Sequence, residues 1–146
     1  MFSTSCLYQY NYFCKDDIVV NQGGSSSGKT YSILQVLFTK AIEERVVITV
    51  VGESIPNLKA GALRDAIEIV NSSDVLKSLV TDYNKTERIF TFEGGSVMEF
   101  KSYLTPQDAK SGKRDYLFIN EAQGISYAIF NELYMRTKIQ CFVDYN

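Results

Sequence analysis

The sequence predicts an α/β domain whose sheet is mostly parallel and carries helices on both faces. Three observations lead there. Short β-branched apolar runs alternate with segments of helical period. Those runs are continuously apolar rather than alternating, as strands buried on both faces must be. A glycine-rich turn joins the first run to the first helix. The 146 residues are 45% hydrophobic and 22% charged, which suffices for one domain with a core of its own.

The elements follow in chain order. Residues 1–14 are rich in aromatics (Phe2, Tyr8, Tyr10, Tyr12, Phe13) without a clear period. Residues 15–21 read as a short buried strand, bounded by Gly23 and Gly24. A helix is expected over 28–43, where Ile33, Leu34, Val36, Leu37, Phe38, Ala41 and Ile42 cover most of the circumference. Residues 46–51 (VVITVV) are β-branched and too short for a helix. After Pro56, the positions Leu58, Ala62, Leu63, Ala66, Ile67 and Val70 predict a helix. Residues 88–92 and 97–103 flank the turn signal Glu93-Gly94-Gly95-Ser96 and read as a β-hairpin inserted into the α/β pattern. Thr105 and Pro106 open a short helix that Gly112 ends. A third buried strand is expected over 116–120 (YLFIN), a helix over 126–137 and a fourth strand over 139–144. No helix follows that strand, so the sheet is expected to be incomplete at the C-terminus and the chain to be part of something longer.

Composition removes several kinds of chemistry. Histidine is absent, which excludes histidine triads, histidine metal sites and imidazole proton shuttles. Cys6, Cys14 and Cys141 are odd in number and lack metal-ligand spacing, so reduced thiols of a cytosolic protein are expected. Net charge is -2, so any nucleic-acid contact must be local. No apolar run is long enough for a membrane span, and the N-terminus lacks the basic-then-apolar order of a signal peptide.

The most informative segment is Gly23-Gly24-Ser25-Ser26-Ser27-Gly28-Lys29-Thr30, which satisfies G-x-x-x-x-G-K-[ST] between a predicted strand and a predicted helix. Glycine lets consecutive backbone N–H groups curl inward around phosphate oxygens. The opening helix adds free N–H groups and the positive end of its dipole. Lys29 would meet the β and γ phosphates, and the Thr30 hydroxyl would ligate Mg²⁺. These residues predict a P-loop nucleotide-binding fold with ATP and Mg²⁺ as cofactors. A chance Gly/Ser-rich loop is the bland alternative.

A hydrolase also needs a group that orients water at the γ-phosphate and a polar group for the metal shell. The apolar strand ending in Asn120 and Glu121 offers both, because ligands of open parallel sheets bind at the carboxyl ends of strands. Glu121 is the expected catalytic carboxylate. Asn120 stands where an aspartate is usual; it can accept from a metal-bound water but brings no charge. The pair could instead merely cap the next helix. Asp144-Tyr145-Asn146 ends the fourth strand in the same way, and could sense the γ-phosphate or simply be a polar strand end.

Taken together, NQGGSSSGKT, YLFINEA, Arg136-Thr137 and the closing Asp144-Tyr145-Asn146 resemble the ATPase domain of tailed-phage large terminase subunits, over about residues 17–146. The resemblance implies a motor that pumps double-stranded DNA into a procapsid in the bacterial cytoplasm. It further implies a homo-oligomeric ring, contacts with the portal protein and the small terminase subunit, and a C-terminal nuclease domain that these residues do not include. By position it makes residues 23–30 the Walker A loop, Asn120 and Glu121 the end of Walker B, and Asp144 and Asn146 the coupling motif. The coupling strand then lies between the phosphate-loop and Walker B strands. Gln9 or Gln22 would contact adenine. Many members carry an arginine inside the loop, where Ser25 stands here; Arg136 or Arg114 is the candidate replacement, and each could equally be an ordinary surface charge.

Two other readings fit the loop. A nucleoside or small-molecule kinase would need an arginine-rich lid, whereas Arg45, Arg64, Arg88, Arg114 and Arg136 are scattered. A non-catalytic prophage remnant would bind without turnover.

Overall fold

The computed structural model describes residues 1–24 and 28–146. A seven-stranded sheet runs through the domain in the order β1-β7-β6-β2-β5-β4-β3. Its strands are β1 (Ile18–Gln22), β2 (Val47–Val51), β3 (Val80–Asn84), β4 (Ile89–Phe92), β5 (Val97–Lys101), β6 (Arg114–Ile119) and β7 (Thr137–Tyr145). β1, β7, β6, β2 and β5 are mutually parallel, so their carboxyl ends share one edge. β4 and β3 extend the sheet antiparallel, so the expected hairpin is part of the main sheet.

Side-chain alternation explains why both faces are covered. Ile48, Val50, Tyr116, Phe118 and Phe142 enter the larger core, with Ile33, Leu34, Leu37 and Phe38 of α2 (Lys29–Glu43). Val51, Leu117, Ile119 and Cys141 point the other way, onto Ile129 and Leu133 of α6 (Tyr127–Met135). The larger core is completed by α3 (Ile55–Ala60) and α4 (Ala62–Asn71), with α5 (Asp74–Leu79) beside them.

Four expectations need correction. Residues Cys6–Phe13 form a helix, α1, capped by the Ser5 hydroxyl. It docks on α2 through Tyr8–Thr39 and Tyr12–Glu43 hydrogen bonds of 3.0 and 2.6 Å. Its contact face is tyrosine and serine, which dilutes the apolar period that would have announced it. β1 alternates exposed and buried, because an edge strand here is covered on one face only. The helix expected beyond Pro56 is two helices, broken at Gly61, whose φ of -129° and ψ of -99° fit neither. The helix expected after Thr105 shrinks to one 3-10 turn, Asp108–Lys110, with the Thr105 hydroxyl accepting from the Asp108 N–H.

Candidate active site

The parallel strands deliver their polar ends to one edge, and α2 begins there. β1 runs into Gly23, whose N–H continues the ladder to the Tyr145 carbonyl at 3.1 Å. Ser25, Ser26 and Ser27 lie outside the described residues. Gly28 closes the loop as the N-cap of α2 with φ 78°, a left-handed conformation natural to glycine. It has no side chain to cap the helix, and the first turn of α2 holds no acidic residue. Among the described residues no side chain caps these opening N–H groups, which suits them to an anion.

Lys29 is buried to 5% exposure, yet its ammonium meets neutral oxygens: the Gly24 carbonyl at 3.0 Å and Asn146 Oδ1 at 3.1 Å. Among the described residues no carboxylate pairs with it. Its charge is thus held in place but not neutralised. Thr30, one position on, donates its hydroxyl to Asp144 Oδ2 at 2.6 Å.

Asp144 is fully buried and collects the other polar groups of the site. Asn120 Nδ2 lies 3.2 Å from each carboxylate oxygen and 3.4 Å from Thr30 Oγ1. The Glu121 backbone N–H donates to Asp144 Oδ1 at 2.6 Å. That last bond depends on an unusual backbone, since Glu121 has φ 52°. The turn ends β6 abruptly and leaves the Glu121 side chain exposed, free of any capping bond. The helix-cap alternative for Asn120 and Glu121 is therefore not realised.

A cavity of about 390 Å³ opens over this cluster, lined by Lys29, Thr30, Asn120 and Glu121 together with Arg64 and Asp65 of α4. Burial holds the Asp65 carboxyl above its usual range, opposed by neighbouring Arg64 and assisted by Glu68. Sequence reasoning missed both α4 residues: helical period marks the buried face but says nothing of which polar face meets the loop. It also gave Asp144 only a sensing role, whereas Asp144 is the centre of the network.

Other candidates lie elsewhere. Arg114 is 2% exposed at the opposite end of β6, bonded to Thr49 Oγ1 and the Leu133 carbonyl. Arg136 caps α6 and pairs with Glu132 at 2.9 Å, at the start of β7. With ~3.3 Å per strand residue it sits roughly 26 Å from Asp144, out of reach of its own loop. Gln9 and Gln22 are exposed and do not line this cavity.

The donor set fits Mg²⁺, an ion usually held by one or two protein oxygens plus phosphate and water. Thr30 offers a hydroxyl whose proton is already committed, and Glu121 an exposed carboxylate.

Neither a protein-family model nor a curated protein matches the sequence. Solved structures do match. The large terminase of a thermophilic bacteriophage aligns with TM-score 0.78 and 12% identity, over 99% of this chain and 39% of that one. The chain has the fold of a phage large terminase ATPase domain. The Thermus phage P74-26 large terminase ATPase domain aligns with TM-score 0.77 and 10% identity, over 99% of this chain and 65% of that one. The HK97 bacteriophage large terminase gives TM-score 0.71 and 15% identity, over 95% and 31%. The chain thus spans about two-fifths of the first terminase's length. The strand that carries Asp144, β7, lies between β1 and β6, the order that the family resemblance implied.

Proposed function

We propose that this chain binds ATP with Mg²⁺ at the cavity over α2 and hydrolyses it, as the motor domain of a phage large terminase that packages double-stranded DNA. The observation that carries this is the convergence of Lys29, Thr30, Asn120, Glu121 and Asp144 on one edge of the sheet. Related terminase structures hold ADP or ATP-γ-S, which supports the choice of ligand.

The triphosphate would lie against the N-terminus of α2, with Lys29 exchanging its two neutral acceptors for phosphate oxygens. Mg²⁺ would neutralise charge on the phosphates, with Thr30 as its protein ligand and Asn120 beside it. Glu121, exposed at the rim, orients a water and accepts its proton as the oxygen bonds to the γ-phosphorus. The bond from the γ-phosphorus to the bridging oxygen breaks, leaving ADP and phosphate. Asp144 and Asn146 touch Thr30 and Lys29 directly, so they are placed to register whether the γ-phosphate is present. Because Arg136 is remote from its own loop, an arginine contribution from it would come from a neighbouring subunit of a homo-oligomeric ring. Portal protein, small terminase subunit and a cytoplasmic setting belong to the same proposal. No helix among the described residues is long and apolar enough to cross a membrane.

Phosphate release from ATP tests the reading. Glu121→Gln should bind ATP as the parent does and lose about 10²–10⁴-fold in turnover. Parent-level turnover in that variant would remove Glu121 from the mechanism. Phosphate release that needs an added hydroxyl acceptor would favour a kinase.

A further inference from the structure

We propose that Asp144 supplies the negative charge that orients the Mg²⁺-ligating hydroxyl of Thr30, a task that neutral Asn120, just beyond β6, cannot perform. The inference rests on the nucleotide-binding reading above and assigns within it a residue for the metal shell.

A hydroxyl ligates a cation through its oxygen lone pairs, so its proton must be drawn to the far side. Only an acceptor behind the hydroxyl achieves that. Asn120 presents its Nδ2 group to Thr30 Oγ1 at 3.4 Å, and so offers a proton rather than accepting one. Asp144 Oδ2 accepts the Thr30 proton at 2.6 Å, the short distance of a charge-assisted bond. The carboxylate is fully buried, so water does not screen it from Thr30.

The rest of the network holds this arrangement in one orientation. Asp144 Oδ1 is tied to the Glu121 N–H, and Asn120 Nδ2 straddles both oxygens. Each hydrogen bond to the carboxylate among the described residues comes from a donor, and together they fix its plane. Register allows this: Asn21 pairs with Asp144 across β1 and β7, while Ile119 pairs with Val143 across β6 and β7. Asp144 and Asn120 therefore emerge side by side on the α2 face. An acid on β7 and an amide just beyond β6 form a complementary pair, in which the charge has moved one strand over. Among the described residues the Thr30 hydroxyl donates to no other carboxylate. Asp144 acts through Thr30 and is a positioning residue.

The test titrates Mg²⁺ against a fluorescent ATP analogue and reads the half-saturating Mg²⁺ concentration. Analogue affinity in EDTA is recorded alongside, with thermal melting to monitor folding. Asp144→Asn and Asp144→Ser should raise the half-saturating Mg²⁺ about 10–100-fold relative to the parent. The reciprocal exchange Asn120→Asp with Asp144→Asn should restore it to within about threefold of the parent. A folded single variant with parent-like Mg²⁺ dependence overturns the proposal, and so does a folded double variant that keeps the full loss. If the parent binds no analogue in EDTA or in Mg²⁺, the nucleotide-binding reading itself fails.

Discussion

Glu121 and Gly28 both adopt left-handed backbone, and each does so where a chain reversal meets the proposed phosphate site. At Gly28 a Cβ would meet no described atom within 4 Å, so the cost of a side chain is conformational alone. Gly28→Ala should lower unfolding free energy by about 1–2 kcal/mol in urea titration. The same scale separates the thiols. Burial pushes the Cys141 thiol up to about 12, while Cys6 is exposed. Iodoacetamide at neutral pH should label Cys6 in the fold and Cys141 only after denaturation, read by mass spectrometry. Lys29, Thr30, Asn120 and Glu121 were legible in the sequence because their motifs combine residue type with position. The centrality of Asp144 was not, since it depends on the β6–β7 register and on a bond to Thr30, more than a hundred residues away in the chain.

Among elements, α2 and β6 were the easiest to read: apolar side chains cover most of α2 over 15 residues, and β6 closes on Tyr116, Leu117, Phe118 and Ile119 in succession. α5 and β3 escaped, as both are short and β3 is an edge strand with no fully buried side chain. Gly61 shows how one backbone position divides a helix that the apolar period treats as continuous. The second of the resulting helices, α4, carries Asp65 to the cavity. A carboxyl whose pKa is raised in the fold binds protons more readily there than in the unfolded chain. Its contribution therefore favours the fold at low pH and is lost as pH rises through the folded-state pKa. Asp65→Asn should raise the Tm at pH 7 and leave it unchanged below about pH 3, as measured by differential scanning calorimetry.

At the level of the whole molecule, the sheet separates stability from chemistry. The hydrophobic mass lies between α2, α4 and the sheet, while the polar cluster occupies the carboxyl edge. Phe38 sits in that mass with its ring 5.9 and 5.8 Å from those of Phe90 and Phe92. Phe38→Ala should cost about 3–5 kcal/mol in urea unfolding. The alternation of β2, β6 and β7 between two cores was foreseeable from their continuous apolar character, whereas strand order was implied only by the family resemblance. The central claim is that a buried, un-neutralised Lys29 at the start of α2 grips a nucleotide triphosphate. Equilibrium titration of the parent and of Lys29→Ala with a fluorescent ATP analogue in Mg²⁺ tests it most directly. Saturable binding by the parent, weakened about 10–100-fold in a folded Lys29→Ala variant, is the predicted result. Equal affinity in the two proteins would contradict it.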